Sequence, residues 1–401
     1  RQIRMKVFVT LEHRFARTPD GTAWTQSAYS DSFWSNYLSV FDSVVPVART
    51  VKVGKPPDGW TPLKGPQTRV LPLPDYTGPS GFLLRYRSLV SILRRAFSEP
   101  AATILRVPSQ IGTLTHSILS PSDRPFAVEV VGDPFDVFAP GVIRHPLRCF
   151  FRHYYCSNLR RQTGSAVACA FVTKEALQRR YPPNPRGFST HYSSVELPEL
   201  AFAPETERVS GRGRSRLLFV GSLAQLYKGP DVFIRAVQHC LKRGIELQAE
   251  LVGDGVFRMR LQRQVEESGL SGRVSFVGQL PAGFQIRQKM DNADLFILPS
   301  LTEGLPRALI EAMARGLPCI GSAVGGIPEL LPIEDLVPPG DAEALAAKIE
   351  EVLRNPDRRR TMAARNLRTA RQYHQDLIGS RREAFYREVR ERTLKWQESH
   401  P

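Results

Sequence analysis

The chain has 401 residues, which is too long for one ordinary hydrophobic core and predicts two domains. Its composition, 42% apolar and 23% charged, is typical of a folded globular protein, and no apolar run reaches the roughly 18 residues that a membrane-spanning helix needs. The formal net charge of +16 predicts polyanionic partners, although the basic residues form no recognisable nucleic-acid-binding module.

The cysteines and the first residues bear on the compartment. The five cysteines form no CxxC pair and are odd in number, so we expect a reducing compartment with neither disulfides nor a zinc site. Residues 1–10 are a short basic lead into a strand-like run and do not resemble a signal peptide. We therefore expect a cytoplasmic protein.

The first half of the chain predicts parallel strands at residues 5–10, 102–107, 126–131 and 166–172. The first of these strands is followed by Glu12, His13, Arg14 and Phe15, which we expect in a loop. Residues 51–79 are rich in proline, glycine and lysine and indicate an irregular excursion.

Two stretches of this half, residues 82–97 and 144–161, combine clustered arginines with apolar residues. A basic amphipathic helix of this kind can lie on an anionic membrane surface. It can equally be a solvated helix that packs its leucines inward, and the sequence leaves both interpretations open. A peripheral position on the inner face of the membrane is therefore one expectation.

Residues 198–215 have the composition of a linker, so we expect a domain boundary near residue 205. This gives an N-terminal domain at 1–205 and a C-terminal domain at 206–375. A long charged helix at 376–401 follows, which we expect to pack back on the N-terminal domain.

The second half predicts alternating strands and helices, which favours a parallel sheet covered on both faces and a Rossmann-like domain. The predicted strands are 217–221, 247–252, 274–277, 294–299 and 318–321, and the predicted helices are 231–242, 257–268, 284–293 and 306–315. Two such domains predict a cleft, with ligands bound by the loops at the carboxyl ends of the strands.

The strongest chemical signal runs from Glu303 to Glu311, because these carboxylates flank a predicted helix start. Backbone amides of Gly304, Leu305 and Arg307 lie at the positive end of that helix, where an anion can dock. A carboxylate there would repel the anion unless it faces hydroxyl groups. The arrangement therefore suits a sugar phosphate, although an ordinary acidic helix start is an alternative.

Three further loops follow predicted strands. Lys228 lies beside a glycine after the first strand of this half and can act as a counter-charge to a diphosphate, or be a plain surface lysine. Gly253 begins a tight turn that either shapes a base pocket or is only a turn. The paired Gly325 and Gly326 allow close approach of the backbone to a ligand or form a structural turn.

These motifs in order, GSL…KG, VGDG, FVG, EGLP…E and GGIPE, resemble the donor-binding half of family 4 retaining glycosyltransferases with the GT-B fold, over residues 217–331. The resemblance implies an α/β protein with two Rossmann-like domains that face a central cleft. It implies that Lys228 binds the diphosphate, that Glu303 contacts the transferred sugar and that Glu311 contacts the nucleotide ribose. The loop 276–280, with Gly278, would cradle the base.

The sequence departs from the family pattern in two places. Ser222 stands where the family often has a second diphosphate-binding arginine, so Arg307 and Arg106 are candidates to replace it. In the N-terminal half, Asp133 follows a strand where the family often has a histidine, and we expect it to orient a sugar hydroxyl or accept the acceptor's proton. His13 is a candidate on the acceptor side. For both residues a purely structural role is the alternative.

The predicted activity is retaining transfer of a hexose from a UDP- or GDP-sugar to a glycan, lipid-linked or small-molecule acceptor. Because no DxD motif stands out, we expect no metal: Lys228, an arginine and the helix end stabilise the leaving diphosphate. The alternatives are a related nucleotide-sugar epimerase and, in another class, a basic nucleic-acid-binding protein.

Overall fold

The computed structural model describes residues 4–26, 29–139, 145–204 and 214–400. The chain divides into two compact units. The N-terminal unit comprises Arg1–Pro134, Phe150–Tyr192 and Gly379–Pro401, and the C-terminal unit comprises Phe135–Cys149 and Ser193–Ile378. Residue 205, where we expected the boundary, lies outside the described residues, and the division between the compact units falls between Tyr192 and Ser193.

The first half of the chain contains nine strands and six helices among its described residues. The strands are β1 (Lys6–Arg17), β2 (Ala23–Thr25), β3 (Ser43–Lys52), β4 (Thr61–Pro62), β5 (Leu71–Pro74), β6 (Ala102–Val107), β7 (Ala127–Val130), β8 (Ala168–Phe171) and β9 (Phe188–His191). The helices are α1 (Asp31–Leu38), α2 (Gly78–Ala96), α3 (Gln110–Leu119), α4 (Pro134–Val137), α5 (Arg148–Ser165) and α6 (Ala176–Arg180).

In the N-terminal unit, seven strands form a parallel sheet in the order β5-β3-β1-β6-β7-β8-β9, and β2 and β4 add a short antiparallel extension beside the end of β1. Every residue of β7 and β8 is buried. This explains why these strands are recognisable as short, largely apolar runs in the sequence.

Two of our expectations for this sheet are wrong. The segment Glu12 to Phe15 is not a loop, because β1 continues to Arg17: after a register shift between Thr10 and Arg14 it pairs again with β3. The excursion 51–79 is also not wholly irregular, since β5 pairs in parallel with β3 at the edge of the sheet. An edge strand tolerates proline, which cannot donate to a neighbouring strand.

The second half of the chain contains the remaining strands, β10 (Ser215–Val220), β11 (Leu247–Val252), β12 (Val274–Gly278), β13 (Leu295–Leu298), β14 (Cys319–Ser322) and β15 (Leu336–Val337). Its helices are α7 (Pro230–Lys242), α8 (Arg258–Glu267), α9 (Phe284–Asp291), α10 (Arg307–Ala314), α11 (Ile327–Leu330), α12 (Ala342–Arg354), α13 (Pro356–Ala370) and α14 (Gln375–Ser399).

The sheet of the C-terminal unit has the order β12-β11-β10-β13-β14-β15, and all its pairs are parallel. Counted within the unit this is the order 3-2-1-4-5-6 of a Rossmann fold, in which the direction of winding reverses between the first and fourth strands. That reversal lies between β10 and β13. The loops after these two strands are therefore where a ligand site is expected.

Most of α14 belongs to the N-terminal unit, where the ring of Tyr386 stacks on Tyr37 with 4.6 Å between centroids. No helix in the described ranges is both long enough and apolar enough to cross a bilayer.

Candidate functional site

The site residues of the C-terminal unit gather at the reversal between β10 and β13. The loop after β10 carries Lys228, and the loop after β13 carries Glu303. Leu301 N donates a hydrogen bond of 2.6 Å to Tyr227 O, which fastens the two loops together next to both side chains.

Lys228 and Glu303 form an ion pair, with 2.6 Å between Nζ and Oε1. The lysine side chain is 17% exposed and the glutamate side chain 7% exposed. Ser300, which is fully buried, donates a second hydrogen bond of 3.1 Å to the same oxygen. Both of these hydrogen bonds end on Oε1 of Glu303, and neither reaches Oε2.

Glycines allow the surrounding backbone segments to touch. Gly229 has φ +71°, and a Cβ at this position would overlap the carbonyl oxygen of Pro299. Gly325 has φ +54°, and a Cβ there would overlap the carbonyl oxygen of Glu303. The next amide, Gly326 N, donates to Gly304 O over 2.7 Å. A side chain at either position would therefore displace the loops that carry Lys228 and Glu303.

Helix α10 begins beside the ion pair. Gly304 and Leu305 precede it, Pro306 caps it, and the exposed Arg307 is its first residue. The first amides of a helix have no partner within the helix and carry partial positive charge. The electrostatics of this start therefore favour an anion, and binding of an anion there stays a prediction.

Glu311 lies one turn further along α10 than Arg307 and is partly buried. Burial raises the pKa of Glu311, and the nearby charges of Arg307 and Arg287 oppose that rise. Glu303 thus lies just before the start of α10 and Glu311 one turn after it. Arg307 and Arg287 lie near the carboxylate of Glu311.

The remaining predicted positions of this unit surround the same strand ends. Ser222 is exposed after β10, and its Oγ accepts a 3.2 Å hydrogen bond from Ala224 N. Gly253 N donates to Gly278 O over 2.9 Å and joins the ends of β11 and β12. The predicted base loop therefore lies beside the VGDG turn.

Asp133, in the N-terminal unit, already has hydrogen-bond and ion-pair partners within the chain. Tyr181 donates a 2.6 Å hydrogen bond to Oδ1, and Arg180 forms an ion pair with Oδ2. Because both oxygens already have partners, the expectation that Asp133 accepts a proton from the acceptor has no support in this geometry. Its carboxylate instead ties the end of β7 to α6 and the residue that follows.

The structure also does not favour Arg106 as a diphosphate-binding residue. Its guanidinium is buried in an ion pair with Glu129 and lies 5.1 Å from the centre of the Phe33 ring. Because this guanidinium is buried and paired with Glu129, the geometry gives no support to Arg106 as the replacement for a diphosphate-binding arginine. Arg307, at the start of α10, remains the candidate.

His13 lies in β1 and not in a loop. Its Nε2 is 2.9 Å from Thr25 Oγ1, and its ring packs on Phe15 and Tyr29. Burial, and to a lesser extent the charge of Arg49, lowers the pKa of His13 to about 4, so the ring is neutral near pH 7. These contacts favour the structural alternative for this residue.

Two polar groups were not predicted from the sequence. Ser300 supports Glu303, and its only signal was a serine three positions before the motif glutamate. Glu129 is buried in the N-terminal unit and accepts hydrogen bonds from Tyr37 at 2.7 Å and Tyr192 at 2.6 Å. A single glutamate within the apolar strand AVEV was the available signal for this cluster.

Among residues 4–26, 29–139, 145–204 and 214–400, no three histidine, cysteine, aspartate or glutamate side chains form a group that could hold a metal ion. The absence of a metal requirement stays a prediction.

The sequence is similar to known glycosyltransferases. Residues 205–368 match the family Glycosyl transferases group 1. Protein CapJ of Staphylococcus aureus is 25% identical over 358 residues, which cover 88% of each chain. The amylovoran biosynthesis glycosyltransferase AmsK of Erwinia amylovora is 39% identical over 141 residues, covering 33% of this chain and 34% of AmsK.

Solved structures support the same fold. Sucrose-phosphate synthase of Thermosynechococcus elongatus superimposes with a TM-score of 0.70 at 20% identity, covering 96% of this chain and 99% of the synthase. HepE of Anabaena, solved with UDP-glucose, has a TM-score of 0.62 at 17% identity, covering 95% of this chain and 99% of HepE. With the geometry above, residues 205–368 are similar to the Glycosyl transferases group 1 family, and the chain has the GT-B fold.

Proposed function

We propose that this enzyme transfers a hexose from a UDP- or GDP-sugar to a glycan, lipid-linked or small-molecule acceptor, with retention of the anomeric configuration. The observation that carries the proposal is the pair formed by Lys228 and Glu303 beside the start of α10, at the reversal of the C-terminal sheet.

The first part of the proposal is the diphosphate. Lys228 Nζ has three donors, and its 2.6 Å bond to Glu303 uses one of them. The remaining donors, the free amides of α10 and the guanidinium of Arg307 supply positive charge for a leaving nucleoside diphosphate. These groups are already held in place, so they stabilise the departing charge without reorganisation.

The second part is the sugar. A carboxylate so close to a diphosphate is repelled unless it accepts hydrogen bonds from hydroxyls. Because the bonds from Lys228 and Ser300 both end on Oε1, Oε2 of Glu303 can accept from a hexose hydroxyl. Glu311, one turn along the helix, takes the ribose diol of the nucleotide in this proposal.

The base is the least constrained part. HepE was solved with UDP-glucose, which supports a uridine nucleotide here. The turn formed by Gly253 and Gly278 is the expected contact with the base. A guanosine nucleotide remains the alternative donor.

In the proposed reaction, an acceptor hydroxyl attacks the anomeric carbon from the face that the diphosphate leaves. The bond from that carbon to the diphosphate oxygen breaks, the bond to the acceptor oxygen forms, and the hydroxyl proton passes to the departing phosphate oxygen. This route requires no carboxylate base from the N-terminal unit, which agrees with the occupied oxygens of Asp133. Because the cysteine usage favours a reducing compartment, we place the reaction in the cytoplasm.

The experiment is a thermal-shift screen of UDP- and GDP-hexoses, followed by assay of the binder for hydrolysis without an acceptor. We expect one nucleotide sugar to raise the melting temperature and to be hydrolysed slowly. NMR of the transferred or released sugar then tests retention. No stabilisation by any nucleotide sugar would overturn the proposed donor, and an inverted product would overturn the proposed stereochemistry.

A further inference from the structure

The first half of α2 exposes its apolar side chains to solvent. Residues 83–88 are all exposed, and within them Leu83 is 70%, Leu84 85% and Tyr86 46% exposed. The second half of the same helix buries Leu89 and Leu93 in the core of the N-terminal unit. The inward packing expected of these leucines therefore holds only for the second half of α2.

Arginines line the outward face of the helix. At about 100° per residue, Leu84, Arg87 and Arg94 lie on one stripe, roughly opposite Leu89 and Leu93. Arg94 and Arg95 are exposed in the last turn. This outward stripe thus carries Arg87 and Arg94 along the helix and Leu84 nearer its N-terminal end.

No acidic residue lies close to this stripe in the sequence. Residues 76–98 contain four arginines and neither aspartate nor glutamate. Among the ion pairs of the described chain, none includes Arg85, Arg87, Arg94 or Arg95. Their charge is therefore available to an external anion.

Helix α5 adds a second basic and aromatic element to the N-terminal unit. Residues 137–174 also lack aspartate and glutamate. Phe150 is 60% exposed, and its ring stacks on Tyr154. Tyr76, which packs on Phe82 of α2, and Tyr155 of α5 both lie near Glu12, so the two helices approach the same part of the unit.

We propose that α2 docks this enzyme on an anionic lipid bilayer. Leu83 and Leu84 enter the boundary between headgroups and acyl chains, and Arg87, Arg94 and Arg95 contact lipid phosphates. The pairing of exposed leucines with unopposed arginines favours this occupant. Nucleic acid would leave the leucines without an apolar partner, and a second copy joined through the same face would oppose arginine to arginine.

The test is co-sedimentation of the full chain with phosphatidylcholine vesicles that either contain or lack phosphatidylglycerol. We expect binding only to the anionic vesicles, and salt should weaken it. The double variant R87Q/R94Q should bind roughly thirtyfold more weakly. The control R354Q/R368Q removes the same charge from exposed helix positions of the C-terminal unit and should change affinity little.

The apolar contribution is tested with L83S/L84S, which should lower affinity at least about tenfold while the salt dependence persists. Three results would overturn the proposal. The chain could bind neutral vesicles as tightly as anionic ones, R87Q/R94Q and R354Q/R368Q could lose the same affinity, or duplex DNA could bind more tightly than vesicles. Stabilisation by the nucleotide sugar, measured on each variant, verifies that the variant is folded. A wild-type chain that binds vesicles but no nucleotide sugar contradicts only the proposed function.

Discussion

Lys228 Nζ lies 2.6 Å from Glu303 Oε1, although the two residues are 75 positions apart in the chain. They meet because β10 and β13 are neighbours in the sheet and their loops leave it at the same edge. Both side chains are mostly buried, so neither charge is well screened by water. The pair therefore fixes a cation and a carboxylate at the one point of the sheet where the fold favours a ligand.

The first prediction concerns the coupling of this pair. In a double-mutant cycle with K228M and E303Q, we expect an interaction free energy of about 1–3 kcal/mol, since each single variant leaves a partly buried charge or acceptor without its partner. The measurement is urea unfolding of the ligand-free protein.

The control for that cycle is the pair of Lys289 and Glu250, which also joins a lysine to a glutamate, over 2.9 Å, but is more exposed. Its coupling should be below about 1 kcal/mol. Equal couplings in the two cycles would show that burial at the Lys228 site adds nothing.

The second prediction concerns Gly325. G325A should destabilise the chain and weaken binding of the donor, because the new Cβ overlaps the carbonyl oxygen of Glu303 and moves the loop. G244A is the matched control: Gly244 has φ +76° and no atom within 4 Å of its Cβ position. We expect about 1 kcal/mol for G244A, from backbone strain alone, and a clearly larger loss for G325A. Comparable losses in unfolding free energy would contradict the proposed close packing.

The third prediction concerns pH and Glu311. Burial raises the pKa of Glu311, and its ionised form accepts the hydroxyls of a ribose diol with both oxygens, whereas protonation makes one oxygen a donor. As the pH is lowered, affinity for the donor should therefore begin to fall at a higher pH than it would with a glutamate of ordinary pKa. Calorimetric titration across the acid range measures this. E311Q should bind more weakly near neutrality and lose that part of the pH dependence; an unchanged profile in E311Q would refute the assignment.

The fourth prediction concerns His13 and stability. The pKa of His13 is lowered from about 6.5 to about 4 in the folded chain, so the unfolded chain takes up a proton in this window that the folded chain does not. The contribution of His13 to the unfolding free energy is therefore lost as the pH falls from about 6.5 to about 4. H13Q should reduce the loss of stability on acidification, measured by urea unfolding, whereas H153Q, at an exposed position, should not. Identical acid sensitivity in wild type and H13Q would contradict the burial of the ring.

Most elements of the C-terminal unit could be predicted from the sequence, because each strand is a short apolar run that ends at a turn, as in LLFVG before Ser222. The grouping of Lys228 and Glu303 followed from the rule that ligands bind at strand ends. In the N-terminal unit, β1 continues through Glu12, His13 and Arg14. Their polar side chains interrupt the apolar pattern from which a strand is predicted. There the pairing with β3, and not the local pattern, determines the structure.

The ion-pair partners of Arg106 and Asp133 could not be predicted from the sequence, for another reason. Each residue type and position suited a ligand, but the partner that neutralises each charge is distant in sequence: Glu129 for Arg106, and Arg180 for Asp133. Such pairs form across neighbouring strands or between a strand end and a helix, so a linear motif does not reveal them.

The most direct test of a nucleotide-sugar site at the β10–β13 reversal is calorimetric titration of wild type, K228Q, E311A and the exposed control E267A with the nucleotide sugar selected by the thermal-shift screen. We predict that wild type and E267A bind it with similar affinity, and that K228Q and E311A each bind at least about tenfold more weakly while remaining folded. Undiminished binding by both site variants, or no binding by wild type, would contradict the account.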